Sequence, residues 1–392
     1  MRLALALLLL AGCSSSPDVS DGGDAGDDAP AVDAPFAPAA HDPLPQVLRT
    51  NGGDLATAPV IVPVFFANDA LQADIEGVLA ALPGSAYWTE LQNDYQIGPL
   101  TVGKSVVVSD TPPQNAASTD VEAFVQAKLD AQDPAWPAPT ASTLYFVYYP
   151  ATTTLTLANG TVGCQDFLGY HFFSATSPSE TFLYGAQPRC PQVPALDTAT
   201  ENTTHELVEA VTDPFEGTYN RVDAPHAVWG VFPGAEIADM CGDEDLSYTL
   251  LVGSWHVSRF WSNQAASAGH DPCAPAIAAP FYDAVPVLPD QATGTFGAAK
   301  ILTHAVVVKL NQSVTIDVQL FSDAPTGDWS LEAADSTSEL TFAWDQTTGN
   351  NGDVRKLTIT RVADGAIGGT EFVITSRKSK TDWHEYFAFA GN

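Results

Sequence analysis

Basic residues are scarce in this chain: 15 Lys and Arg stand against 47 Asp and Glu in 392 residues, a formal net charge of −32. A surface so acidic cannot draw in phosphate backbones, which excludes a nucleic-acid binder on electrostatic grounds. The same charge suits solubility, and a cationic substrate or calcium as partner. Cysteine is also sparse, at 5 residues. None falls in a CxxC pair, so a cysteine-ligated zinc site has no support. No G-x-S-x-G elbow occurs, which argues against a serine hydrolase of the α/β type. No apolar run beyond the N-terminus approaches the roughly 18 residues needed to cross a bilayer.

The N-terminus reads as an export signal. Arg2 supplies a positive charge and Leu3 to Leu10 an apolar stretch too short to span a membrane. Leu10-Ala11-Gly12-Cys13 resembles a lipobox, so residues 1–13 are expected to be a lipoprotein signal with Cys13 carrying lipid. Residues 14–44, rich in Asp, Ala, Pro and Gly, cannot bury enough apolar area to order themselves and are expected to form a solvated tether. The expected location is the cell envelope, outside the cytoplasm, as a monomer attached to the membrane through lipid. Four cysteines then remain, Cys164, Cys190, Cys241 and Cys273. An even number in an exported chain suggests two disulfides, and sequence neighbourhood favours Cys164–Cys190 and Cys241–Cys273 among three pairings.

The richest stretch is Thr203-Thr204-His205-Glu206-Leu207-Val208-Glu209-Ala210-Val211-Thr212-Asp213-Pro214. At about 100° per residue, His205, Glu206, Glu209 and Asp213 share one arc of a helix and Leu207, Val208, Ala210 and Val211 the other. Thr203 and Glu206 have the spacing of a capping box, and Pro214 closes the helix. The pattern is HExxE, one residue away from the HExxH motif of zinc hydrolases; chance predicts roughly 0.01 such matches in a chain of this composition. Zinc accepts imidazole and carboxylate, so His205 and Glu209 would supply two ligands and Glu206 the general base. Downstream, Gly234-Ala235-Glu236-Ile237-Ala238-Asp239-Met240-Cys241 offers a third ligand. Glu236 is the first choice, with Asp239 and Asp213 as alternatives. A His-Glu-Glu sphere is one imidazole poorer than the standard site and more tolerant of harder metals, so zinc is the expected ion and calcium the alternative. His226, His256 and Tyr219 are the donors considered for oxyanion stabilisation.

At these residues the chain resembles the EXORDIUM-type, phosphate-induced proteins and their secreted bacterial relatives. The HELxEAxTDP and GxEIADxC runs carry the resemblance, with Ser85-Ala86-Tyr87-Trp88, Leu91 and Tyr95, Gly169-Tyr170-His171 between Cys164 and Cys190, and Trp261-Ser262-Asn263 before Cys273. It spans about Pro59 to Cys273 and implies an extracellular, cell-wall-associated protein with an inferred zincin-like peptidase activity. His171 is read chiefly as a structural histidine beside a disulfide, with approach to the metal as the alternative.

Strands are expected at Pro59–Phe66, Leu100–Val108 and Leu144–Tyr149, helices at Asp74–Leu82, Ala86–Leu91 and Asp120–Asp130, and a hairpin over Thr152–Val162. Phe182–Tyr184 is expected as an edge strand beside the HE helix. Residues 45–278 thus predict an α+β zincin-like domain. Residues 279–392 alternate apolar and polar positions, as in Val314, Ile316, Val318 and Leu320, and predict an Ig-like β-sandwich of about seven strands. Trp329, Trp344 and Trp383 are assigned to its core. Two functions follow. One is a membrane-tethered metallohydrolase acting on peptides; the other is a non-catalytic binder of cell-wall glycan with a degenerate or structural metal site.

Overall fold

The computed structural model describes residues 35–50, 53–174, 181–215, 217–242, 250–296, 299–363 and 368–392. The signal segment 1–13, the lipid-bearing Cys13 and tether residues 14–34 lie outside the described residues.

Two apolar runs, Val60–Phe66 and Thr143–Tyr149, pair in parallel at the centre of a mixed sheet. Continuous hydrophobicity is what a strand covered on both faces requires. Period-2 alternation sends Ile61, Phe65, Leu144, Phe146 and Tyr148 into the larger core and Val62, Val64, Phe66, Tyr145, Val147 and Tyr149 into a second one. Helix α1 (Gln72–Ala81), α2 (Ala86–Tyr95) and α4 (Ala195–Thr212) contribute to the larger core, and α3 (Ser118–Asp130) to the second. The expected strand over Leu100–Val108 is split into Thr101–Val102 and Val106–Val108, both parallel to Val60–Phe66. Pro63 stands opposite the interruption, and proline has no N–H to continue a ladder.

Leu183–Pro188 pairs in parallel with Thr143–Tyr149 and is therefore interior, where an edge strand was expected. The edge is Tyr170–Phe173, antiparallel to Leu183–Pro188. The expected hairpin over Thr152–Val162 reduces to one bridge, Thr156 to Val162, because Thr154–Thr156 pairs instead with Asn115–Ala117.

From Tyr282 the architecture changes to mostly antiparallel sheets. One has four strands, Tyr282–Pro286, Ser313–Ser322, Val354–Arg361 and Leu340–Trp344 in spatial order; the other has six. Ile316, Val318, Leu357 and Ile359 of the first share a core with Leu331, Phe372, Ile374 and Phe389 of the second. Trp329 and Trp383 are buried and Trp344 packs against the core. The strands exceed the expected seven: Tyr282–Pro286, Asp290–Phe296 and Ala299–Val307 are among those added.

The boundary near residue 279 changes the architecture without interrupting the core. Trp229 packs on Tyr386 and Phe387, and Phe232 on Phe296. Ala37–Asn392 form one compact unit. The end of the expected tether belongs to it: His41 stacks on Phe321 at 3.6 Å, the Asp42 N–H donates to Gln319, and Leu44 is buried. Composition alone hid this, since a few apolar and aromatic contacts suffice to order eight residues. Among the described residues no helix is long and apolar enough to cross a membrane.

Candidate metal centre

Helix α4 is longer than its motif. It begins after Pro194, eight residues ahead of Thr203, so the expected capping box does not form. The Thr203 hydroxyl donates to Ala199 O at 2.7 Å, and the Thr204 hydroxyl to Glu201 O at 2.8 Å. Threonines bonded back in this way sit inside a helix without an unsatisfied hydroxyl. Leu207, Val208, Ala210 and Val211 are buried, as their arc requires. The opposite arc is nearly as buried: Glu206 is 5% and Glu209 3% exposed. Asp213 ends the helix, where its Oδ1 accepts from the Gly217 and Thr218 N–H groups. Asp213 belongs to neither of the groups able to hold a metal.

Three segments meet the acidic arc. Edge strand Tyr170–Phe173 brings His171, whose Nδ1 lies 3.1 Å from Glu206 Oε2 and 3.8 Å from Glu209 Oε2. Its Nε2 lies 3.4 Å from Glu236 Oε1. The turn at Asp239–Cys241 brings Asp239, whose N–H donates to Glu209 Oε1 at 3.1 Å. His205 Nε2 lies 3.2 Å from Glu209 Oε1 and 3.5 Å from Asp239 Oδ1. Ser258, just beyond strand Trp255–Val257, places its Oγ 3.4 Å from His205 Nδ1 and so fixes the ring with Nε2 toward the acids. Asn202 Nδ2 donates to Glu206 Oε1. Gly169 lets the edge strand come this close: a Cβ there would collide with Asn202 Oδ1.

The disulfides hold these segments. They join Cys164 to Cys190 and Cys241 to Cys273, the nearest partners in sequence. The second ties the Asp239 turn to strand Cys273–Ala274. Two such bonds point to an oxidising compartment.

The acids form two overlapping groups able to hold a metal: His171, Glu206 and Glu209, all buried, and His205, Glu209 and Asp239. Asp239, not Glu236, therefore joins the His205–Glu209 pair, because Glu236 faces the far nitrogen of His171. His171 was the residue undervalued in sequence. It lies 35 positions from Glu206, and no spacing rule connects a strand residue to a helix face. The groups line a cleft of about 690 Å3 with Tyr170, Asn202, Glu201 and Ser258. Among the described residues no lysine or arginine lines it. His226 is engaged by Asp223, Tyr219 packs on Tyr95, and neither these nor His256 lines the cleft.

Electrostatics follow from this crowding. Burial raises the Glu209 carboxyl well above its ordinary range, and Glu236, Asp239 and Glu206 push it further. Burial alone would lower the His171 imidazole, but Glu236 and Glu206 outweigh it and hold it well above its ordinary value. Burial raises Glu201 as well. Without a cation, Glu209 and His171 hold a proton more tightly than a free carboxyl or imidazolium group does. Imidazole nitrogen with carboxylate oxygen, in an acidic cleft, is a donor set that fits a divalent transition ion.

No protein-family model and no curated protein sequence matches this chain. Among solved structures it is similar to domains 4 and 5 of the S-layer protein SbsC, at 20% identity over 27% of this chain and 52% of that one, with a TM-score of 0.18. The chain thus spans about half of that SbsC fragment. It is similar also to SbsC domains 5-6, at 19% identity over 27% of this chain and 44% of that one, TM-score 0.18. A beta-glucosidase from Listeria innocua in complex with glucose aligns at 10% identity over 89% of this chain and 48% of that one, TM-score 0.18. No superposition of this quality assigns a fold.

Proposed function

We propose that this protein is a metal-dependent hydrolase of peptide bonds, held outside the cytoplasm by a lipid on Cys13, and a bacterial relative of the EXORDIUM-like group. Its N-terminal part would be zincin-like and its C-terminal sheets an Ig-like accessory module. One observation carries the reading. His205, Glu209 and Asp239 converge on one side of the cleft, and the adjacent Glu206 carboxylate lies beside them without joining that set.

His205, Glu209 and Asp239 would hold the ion, zinc by preference. When bound, the metal supplies a Lewis acid that polarises a carbonyl and acidifies water. Glu206 takes the proton from the attacking water and passes it to the leaving amine. His171, 3.1 Å from Glu206 Oε2, and Asn202, donating to Oε1, fix the orientation of that carboxylate. Ser258 sets the His205 ring.

A second reading, a non-catalytic binder of cell-wall glycan with a structural ion, is favoured by one fact: both Glu206 oxygens already have partners. Glu206→Gln separates the two. The hydrolase reading expects peptide turnover to fall by about 10²–10⁴-fold with the ion at His205, Glu209 and Asp239 still bound, the range for losing a general base. Unchanged turnover, or loss of the first equivalent of metal together with activity, would overturn the mechanism. Glycan binding by the intact chain in chelator, with no hydrolysis, would establish the binder.

A further inference from the structure

Glu209 divides its two oxygens between two histidines. Oε1 faces His205 Nε2 at 3.2 Å, and Oε2 faces His171 Nδ1 at 3.8 Å. Each side is completed by a further carboxylate, Asp239 on the outer side and Glu206 on the inner. A carboxylate placed so is a bridge between two cation positions, and paired sites of this kind hold ions about 3.5–4 Å apart.

Charge supports the second position independently of the distances. Four carboxylates, Glu206, Glu209, Glu236 and Asp239, face two imidazoles. One divalent ion with neutral imidazoles leaves this pocket at −2; a second brings it to zero. Glu206 and Glu209 are buried, where uncompensated charge is costly. The cleft offers no lysine or arginine among its described residues to substitute.

We propose that His171, Glu206 and Glu209 form a second, inner cation site, joined to the outer one by Glu209, whose occupancy removes Glu206 from proton transfer and so inhibits the enzyme. This rests on the hydrolase reading for its consequence, not for its existence. The ligand is a small divalent ion that accepts both nitrogen and oxygen, with Mn2+ and Zn2+ as probes. The inner ion would take His171 Nδ1 and the Glu206 oxygen 3.1 Å from it, the oxygen that would otherwise accept a proton from water. The outer site fills first, and the inner binds about 10-fold or more weakly, because two cations repel across one bridge.

The test is a Mn2+ titration of the intact, metal-free chain in detergent, read by elemental analysis after dialysis and by electron paramagnetic resonance. The wild type should take up two equivalents with a spin-coupled Mn2+ pair at saturation. His171→Ala and His171→Gln should each stop at one, with no coupled signal, and thermal melting checks that they fold. Peptide turnover by the wild type should rise with the first equivalent and fall with the second. Saturation at one equivalent overturns the inner site while leaving the hydrolase intact. A second equivalent that is uncoupled, or that persists in both His171 variants, overturns it too, as ordinary binding to an acidic surface. Two coupled ions with no turnover at any loading would uphold the site and sink the hydrolase reading.

Discussion

Arg361 in the C-terminal sheets and Glu209 in α4 are buried to nearly the same degree, at 0% and 3% exposure, but their surroundings differ in kind. Arg361 donates through Nε to Val308 O and through Nη2 to Ala390 O and Gly391 O, with Glu339 3.8 Å away. Its charge is answered within the protein, and it ties the ends of three strands together. Glu209 is surrounded by acids of its own sign and is only partly offset by two histidines. The first arrangement is complete as it stands. The second is a group that could hold a cation, and the contrast sets a charge matched by the protein itself against one that is not.

Substitutions should treat the two sites oppositely. The largest effect is expected at the matched charge: Arg361→Leu should lower stability by about 3–5 kcal/mol, since three buried carbonyls and Glu339 lose their partner. Urea unfolding followed by circular dichroism measures it, and a loss of under about 1 kcal/mol would deny that the charge is matched. Glu209→Gln should do the reverse in chelator, raising stability by about 1–3 kcal/mol because a buried and repelled carboxylate is gone. With Mn2+ or Zn2+ present the order should invert, the wild type gaining from bound metal and the variant not. If the variant is less stable under both conditions, the metal-free centre is not under charge stress.

The smallest expected effect is in the pH dependence, and its sign is fixed. In chelator the folded carboxyl of Glu209 lies above its ordinary 4.5, and the folded imidazole of His171 above its ordinary 6.5. Both bind more protons folded than unfolded, so stability falls as pH rises. The Glu209 contribution is whole below pH 4.5 and lost as the pH climbs through its raised folded value. That of His171 is whole below pH 6.5 and lost above it. Melting temperatures in chelator should therefore decline toward neutral and alkaline pH. Saturating metal should flatten or reverse the slope, because the ion replaces those protons.

Much of this could be read from the chain before its fold was known. Periodicity located the two faces of α4, and apolar runs located the central strands, because burial on both sides leaves no other composition open to them. Alternation found the C-terminal strands around Ile316, Ile359 and Phe372. What escaped depended on contacts between distant segments. The threonines that resemble a cap at Thr203 also satisfy themselves inside a helix, so the motif could not say where α4 begins. Pro63 breaks its neighbour's ladder, not its own strand. His171 has no spacing that ties it to α4, and reaches the site because Tyr170–Phe173 runs antiparallel along the sheet edge. Glu236 and Asp239 are three residues apart, and only the turn between them decides which histidine each one faces.

The segment ahead of the central sheet also governs how the molecule bears load. From Ala39 to Arg49 the chain crosses both halves: Ala39 and Asp42 bond to Asn351 and Gln319, Val47 to Asn263, and Val47–Arg49 pairs with Tyr219–Val222. A pull on the chain before Ala37 is taken up first by the C-terminal sheets, and then by a strand in shear. α4 and the Asp239 turn come later in the chain, so tension at the N-terminal end would load these contacts before it reached the acids of the cleft.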